Sequence, residues 1–287
     1  RQTIQGNPTT GGMSTVRFER KGDLLSYVYF TQKNTSTGES VDIDENDISK
    51  VELLIGGQVI DEQDSTFSEK LASKLLVSSS GKAANDESKM YALHFSFCEN
   101  WQSALPLVSL QYHDVELRIT WATIDPSRQL DCWANFIYLD TQERQELASM
   151  PQNMLIHQTQ KTLGVNGAKV MELNFNHPVK FLCSSADLIS SPLSSTLKLQ
   201  LNGTDVSNGK LYDPHFRQAP FYFHCPFAVG ADLTTAGFLQ PFCLETNKLQ
   251  PTGSLNFSRL DSARMVTDSS FTSANVYAVN YNILRIQ

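Results

Sequence analysis

The residues of this 287-residue chain best equipped for chemistry are six histidines, five cysteines and a few glycine-rich turns. His113 is followed by Asp114, the types that make a general base and its orienting carboxylate. Neighbours on a strand point to opposite faces, however, and would not pair. His215, His224 and Cys225 form a loose ligand-type group, short of the fourth ligand and the tighter spacing a zinc site requires. His94, His157 and His177 are scattered singly. Gly164-Val-Asn-Gly167-Ala-Lys169 imitates a phosphate loop without its G-x-x-x-x-G-K-[ST] spacing. Neither H-E-x-x-H nor G-x-S-x-G occurs. The pattern therefore yields no catalytic residue, no metal site and no cofactor site.

One stretch gathers more signals than the rest. QPTGSLNFSRLD, residues 250–261, holds a Pro-Thr-Gly turn, a serine, an N-x-S sequon, an arginine and an aspartate. It suits an active-site loop, a glycosylation site or a piece of architecture. Sequons also occur at Asn34 and Asn202 as well as at Asn256, and a glycan needs exposure and the secretory route. Asn256 sits in strand-like alternation and Asn202 runs straight into Gly203, so chance sequons are the better reading. Cys98, Cys132, Cys183, Cys225 and Cys243 are odd in number, 34, 51, 42 and 18 residues apart, with no C-x-x-C. They read as small buried thiols in a reducing compartment.

Composition is that of an ordinary globular chain, 40% hydrophobic and 18% charged, with a net charge of −7. Nucleic-acid binding rests on clustered Lys and Arg. The densest basic run, Arg17-Phe-Glu-Arg20-Lys21, is broken by a glutamate and reads as a strand end, which excludes direct genome binding. No apolar run approaches the 18 residues of a membrane span. The chain opens at Arg1 without Met or a signal-like segment, and its start says nothing about targeting.

The elements around these residues are mostly strands. Val115, Leu117, Ile119 and Trp121 alternate with Glu116, Arg118 and Thr120, the half-buried antiparallel pattern. The same period recurs in MELNF (171–175), LKLQL (197–201) and the closing VYAVNYNILRI. In VELLI, Val51, Leu53 and Ile55 share a face, and Gly56-Gly57 turns the chain into QVID. Gly22-Asp23 splits two strand runs and signals a hairpin. Two short helices are expected, one opened by Thr66-x-x-Glu69 and reaching about Leu76, the other opened by Asp140-x-x-Glu143 and reaching about Met150. The polar stretch after the second is the best internal boundary. Two strand-rich halves of about 140 residues suit two sandwiches or barrels.

Seven blocks in order resemble the double jelly-roll major capsid proteins of nucleocytoplasmic large DNA viruses, the group including phycodnaviruses and iridoviruses. They are VELLIGGQVID, ALPLVSLQYHDVELRITWA, IYLDTQERQELASMP, LNFNHPVKFL, LKLQLNGTD, QPTGSLNFSRLD and YAVNYNILRI. The departures are in length. The segment before Arg1 and the Gly-Met-Gly-rich tail after Arg285 have no counterpart, and the loops are short, as in a compact member or a piece lacking loops and ends.

The resemblance implies an all-β chain of two consecutive jelly-roll sandwiches with a few short helices in loops, the first over residues 1–150 and the second over 151–287. It implies a structural role without enzymatic activity: trimeric, pseudo-hexagonal capsomers tiling an icosahedral shell. The implied partners are the chain itself, neighbouring capsomers, minor capsid or cement proteins, penton proteins and the inner membrane side of the shell, with no direct nucleic-acid contact. The implied location is the virion, assembled in the host cytoplasm. A minor capsid protein of the same fold is the alternative. A carbohydrate-binding β-sandwich is a remote one, and it would need paired carboxylates or an exposed aromatic platform.

Overall fold

The computed structural model describes residues 1–77, 89–206, 208–225 and 237–286. Two compact units are present. Unit 1 comprises Arg1–Ser73, Asn85–Gln158 and Ile283–Gln287, and unit 2 comprises Lys74–Ala84 and Thr159–Asn282. The first ten strands are β1 (Ile4–Gln5), β2 (Met13–Arg17), β3 (Leu24–Asn34), β4 (Ser40–Val41), β5 (Ile48–Ile55), β6 (Gln58–Asp64), β7 (Met90–Ala92), β8 (Leu105–Pro106), β9 (Val115–Trp121) and β10 (Arg128–Ile137). They make two five-stranded sheets, one ordered β1-β2-β9-β5-β6, the other built on β3 with β10, β4, β7 and β8 as partners. β2 with β9, β3 with β10 and β5 with β9 pair antiparallel, as the alternating patterns require.

The alternation of β9 is borne out residue by residue. Val115, Leu117, Ile119 and Trp121 are buried and their intervening neighbours half-exposed. Each such side chain contributes about 1.5–3 kcal/mol on leaving water. Phe30, from the opposite sheet, meets the Trp121 ring edge-on at 6.4 Å, so the two faces close on one core. The β5–β6 hairpin turns at Gly56 and Gly57 with φ of 59° and 79°. Two successive left-handed residues are the geometry that a two-residue turn between twisted strands demands. Leu54 and Glu52 are buried along with Val51, Leu53 and Ile55, so β5 is covered on both faces.

The remaining strands are β11 (Gln152–Thr162), β12 (Val170–Glu172), β13 (Pro178–Ser184), β14 (Thr196–Leu201), β15 (Thr204–Asp205), β16 (Lys210–Leu211), β17 (Phe238–Pro241), β18 (Leu255–Asn256), β19 (Ala263–Thr267) and β20 (Val276–Ile286). One five-stranded sheet runs β11-β20-β13-β17 with β18 on β13, and the other runs β12-β19-β14-β15 with β16 on β14. Met171, Leu173, Phe175, Leu197, Leu199 and Phe257 meet in a second core. The architecture is all-β, two sandwiches in one chain with short helices in the connections.

Four expectations are corrected. Gly22-Asp23 makes no hairpin, because β2 pairs with β1 and β9 while β3 pairs with β10 in the other sheet. The Asp23 amide is taken by Ile137 O at 3.0 Å. Period-2 alternation places a strand against a core without saying from which side. The first helical segment is capped by Asp64, whose Oδ1 accepts from the Phe67 amide at 2.9 Å, and not by Thr66. It is a mixed turn, α over Ser65–Phe67, π over Ser68–Ala72, α over Ser73–Leu75. The second helix spans Thr141–Ser149 with Asp140 at the cap position, but that side chain makes no cap bond. The polar stretch that follows is not irregular chain but largely strand β11, the division between the units falls within it at Gln158 and Thr159, and β20 passes from unit 2 into unit 1 at Ile283.

Candidate functional site

The most catalytic-looking group in the structure was invisible in the sequence. Ser96 Oγ lies 3.2 Å from His157 Nδ1 across 61 residues. His157 Nε2 faces the His94 carbonyl at 3.4 Å, which makes Nδ1 the acceptor of the serine proton. The carboxylate of the cluster, Glu99, is 2.7 Å from His94 Nδ1. Serine, histidine and acid are thus gathered in one cluster, with a carbonyl at the outer nitrogen of the base and the acid on the His94 ring. Ser96 Oγ also accepts the His157 amide at 2.8 Å. All four side chains are buried, and the adjoining void is about 20 Å³, the volume of one water. No acyl substrate fits there. The cluster satisfies buried polar groups inside a core.

The residues singled out from the sequence do not converge either. His113 and Asp114 lie in the turn before β9 and not on a strand; Asp114 Oδ1 pairs instead with Arg17 Nη2 at 2.6 Å. His224 Nδ1 donates to Leu244 O at 3.1 Å, Cys225 Sγ is 3.8 Å from Thr246 Oγ1, and His215 is exposed. Among the described residues no three His, Cys, Asp or Glu side chains gather as metal ligands. All five cysteines are buried and none is in a disulfide. Burial pushes the Cys132 and Cys225 thiols up to about 12 and raises Cys183 and Cys243 as well, so none of these four is held as a reactive thiolate.

Lys180, 1% exposed, is the one fully buried lysine among the described residues. Its Nζ donates to Lys248 O at 2.6 Å and lies 5.5 Å from the Tyr281 ring centroid. Burial pushes it down to about 8, with Cys243 acting in the opposite sense.

QPTGSLNFSRLD proves architectural. Leu255 and Asn256 pair with Val179 and Pro178, and the chain then tightens into a 3-10 turn over Phe257–Arg259. The expected alternation stops there because Asn256 Oδ1 caps that turn, accepting the Ser258 amide at 3.1 Å. Phe257 is buried, its ring 6.0 Å from both Phe175 and Phe242. Ser258 Oγ accepts the His177 amide at 2.8 Å. Arg259 and Asp261 form no ion pair; the Asp261 amide is held by Asn202 Oδ1 at 2.8 Å. Asn34 Oδ1 likewise accepts the Ser36 amide at 2.8 Å. All three sequon asparagines thus use their amide oxygens to hold backbone. Of the tryptophans, Trp121 is core, Trp133 donates to Thr31 Oγ1 at 2.9 Å, and Trp101 is exposed.

What the surface does offer is contact chemistry. In unit 1, Tyr112 is 92% exposed, Tyr138 69% and Met150 60%; in unit 2, Tyr222 is 81% exposed and Phe223 73%. Large apolar side chains at such exposure are found where proteins meet other proteins.

Comparison with known proteins points the same way. Residues 1–140 match the family model described as major capsid protein N-terminus. The chain is similar to the major capsid protein of Pyramimonas orientalis virus, 30% identical over a 347-residue alignment covering 99% of this chain and 86% of that protein. It is 25% identical to the major capsid protein of Paramecium bursaria Chlorella virus 1, covering 99% and 88%. Among solved structures it superposes on VP54 of PBCV-1 with a TM-score of 0.81 at 25% identity, covering all of this chain and 93% of that one. The Faustovirus major capsid protein, at 11% identity, shares the fold with a TM-score of 0.68, covering 99% of this chain and 90% of that one.

Proposed function

The chain belongs to the major capsid proteins of the nucleocytoplasmic large DNA viruses, and from that premise we propose that three copies form a pseudo-hexagonal capsomer that tiles the virion shell. The single observation that carries this reading is the match over nearly the whole length of both chains to the Pyramimonas orientalis virus protein. Two sandwiches per chain make six per trimer, and six similar blocks about one axis give a near-hexagonal outline from threefold symmetry. Sandwiches suit the task because most of their strand edges are paired within the unit, which limits uncontrolled strand addition.

The protein acts as structure and not as an enzyme. The Ser96–His157–His94–Glu99 group is closed to substrate, and the cysteines are buried. Its partners are its own copies and neighbouring capsomers, with cement and penton proteins at the seams and the inner membrane side of the shell beneath. A net charge of −7 with no basic cluster fits a coat that does not touch the genome. Assembly takes place in the host cytoplasm.

Electron microscopy and mass measurement of purified chain test the reading. Six-sided particles with the mass of three chains are expected. Monomers under every assembly condition, together with virions that lack the chain, would overturn it. Copy number per virion separates a major from a minor coat component.

A further inference from the structure

A capsomer needs contacts between copies, and one face of unit 1 has both the composition and the charge arrangement for one. Three segments are fastened together there. Arg20 Nη2 donates to Leu110 O at 2.6 Å and also to the Gln111 carbonyl, tying residues 17–23 to residues 107–114. Buried Asp23 accepts from the Leu139 amide at 2.8 Å and from Arg144 Nη2 at 2.9 Å, which brings in residues 137–150. Ser109 Oγ donates to Leu147 O at 2.7 Å. Two surface hollows on this face share Arg20, Lys21 and Gln111.

The helix Thr141–Ser149 on this face is incomplete as a piece of a monomer. None of its residues is buried. Helices this short are marginal in water without an apolar stripe packed on a core. Its tethers are the Arg144–Asp23 pair and the bond to the Leu147 carbonyl. Glu143 and Glu146, three positions apart, share an exposed side. The neighbouring loop carries the opposite charge. Arg20 is exposed and pairs with no carboxylate among the described residues, and Lys21 reaches only Glu19, at 3.3 Å.

Resting on the capsid reading above, we propose that the Glu143–Glu146 side of this helix in one copy docks on the Arg20–Lys21 loop of a second copy, with Tyr112, Tyr138 and Met150 enclosed around the charge pairs. Arg144 lines a hollow with Arg20 and Lys21, and the helical turn aims Glu143 and Glu146 away from Arg144, so acid and base look to different sides and a threefold rotation carries each helix onto the next loop. That is a heterologous contact, the kind that closes into a ring. Copies with a net charge of −7 repel one another, and a local cation–anion match is what steers and registers them. Tyr, Met and Arg are the side chains enriched in the buried centre of interfaces.

The test is a charge swap in the full chain, read by sedimentation at fixed salt, with circular dichroism as the folding control. Glu143→Lys with Glu146→Lys is expected to weaken trimer association by about tenfold or more, and Lys21→Glu with Arg20→Glu likewise. All four changes together restore association to within about threefold of wild type, because every copy then carries the reversed pair. Arg20 also holds two carbonyls; if its reversal unfolds the chain, Lys21→Glu alone with the helix pair decides the rescue. Tyr112→Ala with Tyr138→Ala is the second arm, with folding intact and association again about tenfold weaker. A wild-type trimer that ignores these changes, or a four-fold variant weaker than either pair, overturns the contact and leaves the capsid reading standing. A wild type that never trimerises removes both.

Discussion

Glu69 offers a pH test of the packing around the first helical segment. It lies in the π-helical turn Ser68–Ala72, against the loop that carries Asp44 and Glu45. Burial pushes its carboxyl up to about 7 from 4.5; the Glu45 amide and the Lys70 ammonium hold it down, while the charges of Asp44 and Glu45 push it further. Lys70 is itself engaged by Glu45, Nζ to Oε1 at 2.9 Å. A folded-state value above the unfolded one means that ionisation opposes folding. The contribution of Glu69 is therefore most favourable below pH 4.5, falls between 4.5 and 7, and carries the whole penalty above 7. At about 1.4 kcal/mol per pH unit the gap is worth roughly 3 kcal/mol. Glu69 remains partly exposed, and screening reduces this to about 1–2 kcal/mol. Glu69→Gln keeps an acceptor for the Glu45 amide and removes the charge. The variant is expected to gain about 1–2 kcal/mol over wild type at pH 8, on the order of 2–5 °C in melting temperature, and almost nothing at pH 4. Urea unfolding of both proteins at the two pH values, at one chain concentration, measures this. An equal gain at both pH values, or a loss at pH 8, would refute the argument.

Three further outcomes follow from individual side chains. Phe257→Ala removes the ring packed between Phe175 and Phe242 and is expected to cost about 3–5 kcal/mol, seen as lost folding or trimer yield; normal yield and stability would contradict the core placement. Lys180, held down to about 8 by burial, opposes folding when charged, so its own contribution to stability should rise as pH climbs from 8 toward 10.5, superposed on the loss from the buried thiols. Lys180→Met should flatten that rise, as chemical denaturation at pH 7.5 and 10 would show. Ser96→Ala leaves the His157 amide and Nδ1 without their shared partner and should cost about 1–3 kcal/mol. Ester hydrolysis by the wild type that Ser96→Ala abolishes would refute the structural reading of the cluster.

Much of the fold was legible because burial in a sandwich has period two. The alternation of Val115 to Trp121 and of Met171 to Phe175 translated directly into core faces, and Gly56-Gly57 into a hairpin whose φ angles only glycine takes easily. The resemblance supplied the pairing of two jelly rolls. Where the reading erred, the cause was a partner distant in sequence. Gly22-Asp23 looked like a hairpin because local signals do not say which sheet a strand joins. Asn256 looked like a strand residue until its side chain capped the turn that ends the strand. The polar pattern of residues 152–162 concealed a strand, because main-chain pairing in β11 needs no apolar side chains.

By itself the sequence determined which apolar faces of the alternating strands are buried, where glycines turn the chain, that no familiar catalytic spacing occurs, and which family it resembles. Each of these is written in local order, where side-chain period and turn residues act over a few positions. Tertiary structure alone decided that Ser96 meets His157 in a closed core, that Lys180 is sealed beneath Tyr281, and that Arg144 brings its helix beside Arg20 and Lys21. These depend on distances between segments tens to more than a hundred residues apart. Closing such loops is entropically cheap enough that sequence separation scarcely limits which groups meet, so only the packed core settles it.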